Sequence, residues 1–416
     1  MQLKLLNFYK MIANIANNLV GAFVPLIIYD ATQSLVYAGL FLVGTTTVRF
    51  FSDLLLNKYI QRQPEIFLLS RFLTLGIYCL CLSFIQTNLL LFAILVAIFL
   101  GFDNTFKNLS NETLFNYSSS VKVDSKSIAI TRIFEQIGVF AGILVGGVLL
   151  DVSQVVVYIL ATILYFIAII PLFIFYLKNK KKATFNSEYV SNATMFLSKS
   201  EKRSSPMKYL ATMMLFCYGL VYSFYAITDL TTNIFNLNLA SGSTVSYTYA
   251  SMFVLAYHIA YFIGNMIVGK LEKKFDLLKI VQVVCFVMSA MFVCFAFITN
   301  IVLTFVCFAV LGLVYAFLCA FMLQRFLQKS RILGISNKAF VVRECSCVGA
   351  YAVFYGIATL FAAFEISLNW FFMVSAFMLV ATGIILPMME ESTRKMLVDF
   401  VEDNEISVDS HQQAEE

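Results

Sequence analysis

Long hydrophobic runs, separated by short polar segments, are the dominant pattern along the chain. A run of about 20 mostly apolar residues can cross a bilayer as a helix. The sequence therefore predicts twelve transmembrane helices. They cover residues 11–29, 36–56, 66–86, 88–110, 127–149, 154–177, 209–232, 246–268, 278–298, 301–323, 339–361 and 369–389.

Composition supports this interpretation. Hydrophobic residues make up 60% of the 416 residues and charged residues only 13%, whereas a soluble domain averages about 45–50% and about 25%. One water-soluble core cannot hold so many apolar side chains, so we expect an all-α membrane protein.

A polar, lysine-rich segment divides the predicted helices into two sets of six. We expect an N-terminal six-helix bundle in residues 1–177 and a cytoplasmic linker in 178–208. A C-terminal six-helix bundle follows in 209–389. A cytoplasmic tail in 390–416 begins as an interfacial helix, because its apolar residues fall on one side.

The two halves share a weak internal repeat. Placing Arg132 on Arg343, 211 residues later, aligns the fifth predicted helix of each half. Both of these helices start on the same side of the membrane. The chain therefore predicts two parallel six-helix bundles.

Basic residues set the orientation. Of the 29 Lys and Arg residues, 24 fall in segments on one side of the predicted bundle, and the loops on the other side hold none. By the positive-inside rule that side is cytoplasmic. We therefore expect a multi-pass protein of the cell membrane with both termini in the cytoplasm.

The segment after the second predicted helix contains a partial family motif. Residues 49–58 read RFFSDLLLNK, which keeps Asp53 and the basic Lys58 of the signature Gly-x-x-x-Asp-Arg-x-Gly-Arg-Arg and has Arg49 in place of its first glycine. With its two parallel six-helix halves, the chain resembles the major facilitator superfamily over essentially its whole length.

Two further segments bear on this resemblance. The second-half copy of the motif, GKLEKKFDLLK, keeps Gly269, and GILVGG in the fifth helix keeps Gly142, Gly146 and Gly147 of a pattern frequent in the family's exporters. The resemblance implies the family's fold. It also implies a cytoplasmic gate with Asp53, Lys58 and Gly269, in which Asp53 contacts the eleventh helix.

Ionisable residues inside the fourth and fifth predicted helices form the leading candidate site. A charge at mid-bilayer costs at least about 2.5–3.5 kcal/mol, so such groups normally face the bundle interior. Asp103 and Lys107 share a helix face, as do Arg132 and Glu135, and the two pairs lie at similar depth. We expect one cluster that either lines a substrate cavity or locks two helices together.

Further candidates lie on other predicted helices. His258 is the intramembrane histidine, either a proton-exchanging group or a packed, hydrogen-bonded ring. Arg343 and Glu344 are adjacent and diverge by about 100° around their helix, so they need not pair. Asn14 and Asn18 give the first helix a polar stripe suited to close packing or to substrate binding.

These features favour a secondary transporter that works by alternating access. We expect a small polar or amphipathic solute, coupling to protons, a weak preference for export (efflux) and a functional monomer in the bilayer. The alternative is a lipid or glycolipid flippase of the same fold. We expect no enzyme, since the sequence has no paired His, no metal spacing and no Gly-rich phosphate loop. No catalytic residue, cofactor, metal or nucleic-acid partner is expected.

The predicted orientation can be tested with single cysteines introduced into a background without the nine native ones. A membrane-impermeant thiol reagent should label a cysteine in residues 233–245 from outside intact cells. A cysteine in 183–205 should react only after permeabilisation. The reverse pattern would refute the orientation.

Overall fold

The computed structural model describes residues 2–119, 125–180, 213, 216–219, 233–239, 246–271, 277–298, 300–332 and 336–412. Its regular structure is helical throughout these ranges. The long helices are α1 (Gln2–Val20), α2 (Val24–Thr32), α3 (Leu35–Arg62), α4 (Pro64–Ser83), α5 (Leu89–Ser119), α6 (Ser125–Val152), α7 (Gln154–Lys180), α8 (Tyr247–Leu271), α9 (Leu277–Phe297), α10 (Ile301–Ile332), α11 (Ser336–Ala363) and α12 (Asn369–Gln412).

Eleven spans within the described residues are long and apolar enough to cross a membrane. They correspond to eleven of the twelve predicted runs. The remaining run, 209–232, lies outside the described residues except for 213 and 216–219, and so does most of the linker 178–208.

The first span is longer than predicted and is broken. It extends over Leu5–Thr32 rather than 11–29, and α1 and α2 are separated at residues 21–23. Pro25 lies in the first turn of α2. Because proline has no N–H to donate, it cannot continue the hydrogen bonding of α1 and suits the start of a new helix.

Glycines let α6 approach α1 closely in the N-terminal half. A Cβ atom added at Gly138, Gly142 or Gly146 would come within 2.6 Å of a backbone oxygen of α1. The oxygens are those of Met11, Ile15 and Leu19. Both sets repeat every four residues, so one ridge of each helix lies against the other.

The remaining N-terminal helices complete a bundle around α1. Helix α7 also packs against α1, and α4 packs against α5 and α7. In the C-terminal half α8 packs against α10, and α9 against α10 and α12. Gly101 on α5 touches α3, and Gly312 on α10, 211 residues later, touches α8. Gly101 and Gly312 are separated by the same number of residues as Arg132 and Arg343 in the internal repeat.

The two halves meet along two helix pairs, α3 with α11 and α6 with α8. Towards the predicted outer side, a Cβ at Gly39 would lie 2.3 Å from Thr359, and one at Gly147 would lie 2.4 Å from Ser251. The helices of each pair therefore touch closely there.

The interface continues towards the predicted cytoplasmic side. On α6 and α8 the rings of Phe140 and Phe262 meet edge to face, 6.3 Å apart. On α3 and α11, Ile60, Val341 and Cys345 belong to one buried apolar cluster. The halves thus contact each other at both ends of the α3–α11 pair.

Helix α12 continues beyond its apolar span, Asn369–Glu391, as one helix to Gln412. The predicted tail 390–416 is therefore helical through most of its length. The side chains of 392–412 lie outside the described part, so its interfacial character stays a prediction.

Because Gly142 lies against α1, we expect Gly142→Ala to lower the melting temperature of the purified protein. Overpacking a close contact costs about 1–3 kcal/mol. Gly76→Ala and Gly356→Ala are matched controls, since a Cβ there meets nothing within 4 Å. Alanine is the better helix former by about 1 kcal/mol, so neither control should destabilise. Equal melting temperatures for all three would contradict the close packing.

Candidate functional site

Arg71 on α4 and Asp103 on α5 form a buried ion pair in the N-terminal half. Their side chains are 2% and 0% exposed. Arg71 Nε donates to Asp103 Oδ1 at 3.0 Å and the guanidinium donates to Oδ2 at 2.8 Å. Thr74 donates a third hydrogen bond to this carboxylate at 3.0 Å. These two parallel N–H···O bonds neutralise the buried charges of Arg71 and Asp103 against each other.

Further contacts extend this ion pair to two more helices. The Arg71 guanidinium donates to Asn17 Oδ1 on α1 at 3.2 Å and lies 5.1 Å above the ring of Tyr165 on α7. Tyr165 donates to the carbonyl of Leu68 at 3.1 Å and is hydrogen-bonded to Tyr9 on α1. One network therefore ties α1, α4, α5 and α7 together.

The structure pairs Asp103 with Arg71, a residue that the sequence had not grouped with it. Asp103 accepts hydrogen bonds on its two oxygens from Arg71 and Thr74, and Lys107 makes no ion pair with it. Its position in the network matches the structural lock, which was one of the two interpretations left open by the sequence.

Glu135 on α6 pairs with Lys10 on α1 at 2.6 Å. The Lys10 side chain is 6% exposed and that of Glu135 is 31% exposed. Asn14 donates to the carbonyl of Glu135 at 3.4 Å, and Asn18 donates to the carbonyl of Asn14 at 2.8 Å. The polar stripe of α1 therefore borders α6, and Glu135 remains in part accessible.

Arg132 and Lys107 are the other two members of the expected cluster. Arg132 belongs to α6, but its side chain lies outside the described part of the chain. Lys107 is half-buried on α5. Among the described residues its ammonium makes no hydrogen bond and no ion pair within 4.0 Å.

A second ion-pair group joins the two halves. Arg49 on α3 forms a salt bridge with Glu344 on α11, and Arg343 binds the other oxygen of the same carboxylate at 2.7 Å. The angle between adjacent helix positions did not require Arg343 and Glu344 to pair. They do so because the long arginine side chain can reach back to its neighbour.

Asp53 lies one helical turn from Arg49 and is fully buried. Its carboxylate is 3.8 Å from Arg49 Nε, and neither oxygen has a hydrogen-bond partner among the described residues. The link between the second and the eleventh predicted helix is therefore made by Arg49, beside Asp53. Lys58 is exposed, and Gly269 belongs to α8 with its surroundings undescribed. The gate role of all three stays a prediction.

His258 is half-buried on α8 and touches the ring of Tyr257 edge to face at 5.3 Å. Its Nδ1 is buried without a hydrogen-bond partner in the described part of the structure. No three His, Cys, Asp or Glu side chains come together there as metal ligands would.

Sequence reasoning missed a polar network near the predicted outer side. Asp151 at the end of α6 accepts hydrogen bonds from the backbone N–H groups of Tyr247 and Thr248, at 2.9 and 3.0 Å, and from the Thr248 hydroxyl at 2.5 Å. It therefore caps the N-terminus of α8 from the other half. Asp30 on α2 accepts from Gln154 and from the Tyr247 hydroxyl, at 3.2 and 3.3 Å.

Comparisons with known proteins agree with this architecture. The family model described as Major Facilitator Superfamily matches residues 6–341. Among curated proteins none matches the sequence. Solved structures match over nearly the whole chain.

One similar structure is a POT family transporter in complex with a thioalcohol-conjugated peptide, at TM-score 0.66 and 12% identity, with 94% of this chain and 96% of that chain covered. Another is a POT family transporter in complex with 5-aminolevulinic acid, at TM-score 0.65 and 12% identity, with 94% and 96% covered. A third is the nucleoside transporter NupG, at TM-score 0.65 and 10% identity, with 93% and 98% covered. These likenesses confirm the predicted all-α fold of two six-helix bundles.

The Arg71–Asp103 pair makes a testable prediction about stability. Asp103→Asn leaves Arg71 without its counter-charge, and breaking a buried pair costs about 3–5 kcal/mol. The double variant Arg71→Met with Asp103→Leu has no unpaired charge, so its melting temperature should exceed that of either single variant. Glu135→Gln, at a partly exposed position, should cost less than Asp103→Asn. A double variant less stable than both single variants would contradict the lock.

Proposed function

Because the chain belongs to the major facilitator superfamily, we propose that it is a secondary transporter working by alternating access. It moves a small polar or amphipathic solute across the cell membrane, with coupling to protons. Residues 1–177 rock against 209–389, and the solute binds between them.

The salt bridge between Arg49 and Glu344 is the observation that carries this proposal. It connects the two halves, and the Glu344 carboxylate is shared with Arg343. Since Asp53 lies 3.8 Å from Arg49, a second carboxylate is ready for Arg49 when the halves separate. The pair can therefore open without leaving an arginine uncompensated in the membrane.

The contact at Asp151 supports the same motion from the opposite side. Asp151 belongs to the N-terminal half, and the backbone N–H groups that it caps begin a C-terminal helix. Opening towards that side would break these hydrogen bonds. Alternating access would then weaken one polar contact between the halves while the other holds.

The chemistry of Glu344 supports the proposed proton coupling. A protonated carboxyl group has no charge with which to hold Arg49, so protonation would release the contact between α3 and α11. Glu135, partly accessible and paired with Lys10, is a second carboxylate that could exchange a proton. The direction of transport is left open by the glycines, because Gly142 and Gly146 serve the packing of α6 against α1.

The two contacts should be separable by mutation. Glu344→Gln should expose the predicted cytoplasmic side of the interface, because Arg49 loses its counter-charge there. Asp151→Asn should expose the outer side, because a neutral amide caps α8 less well. Native Cys345, 2% exposed beside α3, and an introduced Ser251→Cys, at a fully buried position beside Gly147, are the reporters.

The rate of thiol labelling of each reporter, in a background without the other native cysteines, measures how far each side of the interface is exposed. Glu344→Gln should speed the labelling of Cys345, and Asp151→Asn that of Ser251→Cys. Arg62→Gln, which removes an exposed charge at the end of α3, should change neither rate. Parallel changes at both reporters would show general loosening and would refute alternating access.

Proton coupling can be tested in liposomes that carry a pH-sensitive dye in their lumen. Adding the transported solute should change the lumen pH for the wild-type protein and not for Glu344→Gln. A lipid flippase would instead expose labelled lipid to a membrane-impermeant quencher with little proton flux. That result, with no pH response to any soluble solute, would refute the proposal.

A further inference from the structure

We propose that Lys107 and His258 form a binding site for an anionic group, a carboxylate or phosphate, of the transported solute. The two residues belong to different halves of the protein. This inference rests on the proposed function, since it concerns the ligand for which the halves close.

The charge balance of the described side chains around Lys107 is the first observation. Arg71 is neutralised by Asp103, and Lys10 by Glu135. The carboxylates of Glu344 and Asp53 are balanced by Arg49 and Arg343 through ion pairs within 4.0 Å. These pairs balance without any contribution from Lys107.

Lys107 is surrounded by these charges but paired with none. Asp103 and Glu135 attract its ammonium electrostatically, and Arg49 and Arg71 repel it. No carboxylate of the described residues comes within the 4.0 Å of an ion pair. A lysine in this position has three N–H groups and one positive charge to offer. An anion can accept hydrogen bonds from these N–H groups and neutralise the positive charge.

His258 faces the same region from the other half. Its helix presents Ser251 to Gly147 and Phe262 to Phe140 of α6. His258 lies seven residues after Ser251 and four before Phe262, so it shares this face of α8. It also lies within electrostatic range of Lys107.

The imidazole of His258 can complete the site. Its Nδ1 is buried and has no hydrogen-bond partner among the described residues. A ring nitrogen bearing hydrogen can donate to a carboxylate or phosphate oxygen. An anion held by Lys107 from α5 and by His258 from α8 would bridge the two halves, so its binding would favour closure around it.

The nearby carboxylates do not block an anion. Glu135 is neutralised by Lys10 at 2.6 Å, and Asp103 by two hydrogen bonds from Arg71. Asn14 and Asn18 direct their amide N–H groups to backbone carbonyls, which fixes them as a polar wall of α1. Among the described side chains of the region, the positive charge left without a partner is therefore that of Lys107.

Binding can be measured by the thermal stabilisation of purified protein in detergent. The probes are succinate, inorganic phosphate, glycerol 3-phosphate and 5-aminolevulinic acid, with glucose and tetramethylammonium as uncharged and cationic controls. A ligand that binds only the folded state at about 100 times its Kd adds about 2.7 kcal/mol. At least one of the four probes, each of which carries a carboxylate or phosphate group, should raise the melting temperature of the wild-type protein, and neither control should.

The variants assign the effect to the two residues. Lys107→Gln should weaken anion binding about tenfold to a hundredfold, as expected for a lost charge-assisted hydrogen bond. Lys107→Arg should keep most of the affinity, and His258→Gln should lose about threefold to tenfold. Lys279→Gln removes an exposed lysine of α9 and should bind as the wild type does. Unchanged binding by Lys107→Gln, or no response to any anionic probe, would overturn the site.

Two further comparisons complete the test. A response to dihexanoyl phosphatidylglycerol without one to glycerol 3-phosphate would assign the anion to a lipid headgroup, and the reverse would assign it to a soluble solute. Either result supports the anion site. The labelling of Cys345 and Ser251→Cys reports alternating access independently. A failure of anion binding would therefore leave the transport proposal intact. A failure of the labelling test would likewise leave the anion site intact.

Discussion

A charge inside the membrane must find its counter-charge within the protein, because the lipid supplies none. Much of the polar structure of the N-terminal half follows from this constraint. Arg71 meets it with Asp103 and draws four helices into one network. Lys10 meets it with Glu135, which joins α1 to α6. Lys107 has no counter-charge among the described residues. The absence of such a partner distinguishes it, as a candidate for ligand binding, from the paired structural charges.

The same constraint shapes the interface between the halves. Arg49 is balanced by Glu344 across the interface and has Asp53 within its own helix. An ion pair with two alternative acceptors can be broken at a lower cost than one with a single partner. The apolar contacts beside it, such as Ile60 with Val341, require no such arrangement, because they lose only contact area when the halves separate.

Hydrophobic runs were sufficient to predict the eleven spans of the described residues, since bilayer thickness fixes helix length. They were not sufficient to predict which charges pair. Spacing along one helix placed Asp103 with Lys107, whereas the partner of Asp103 is Arg71 on a different helix. Arg71 interrupts an apolar run, which was a usable signal, but its partner depends on how α4 and α5 rotate in the bundle. The hydrophobic runs did not reveal the break near Gly21 either, although Gly21 and Pro25 were usable signals for it.

The cap that Asp151 provides for α8 links opening of the outer side to hydration. When the halves part there, the first backbone N–H groups of α8 lose their carboxylate and must be solvated by incoming water. In the proposed alternating-access cycle, each outward opening would therefore take up water molecules that each closing returns. The balance between the two conformations would then depend on water activity as well as on ligands. Osmolytes excluded from the protein surface should shift it towards the conformation that is closed on the outside.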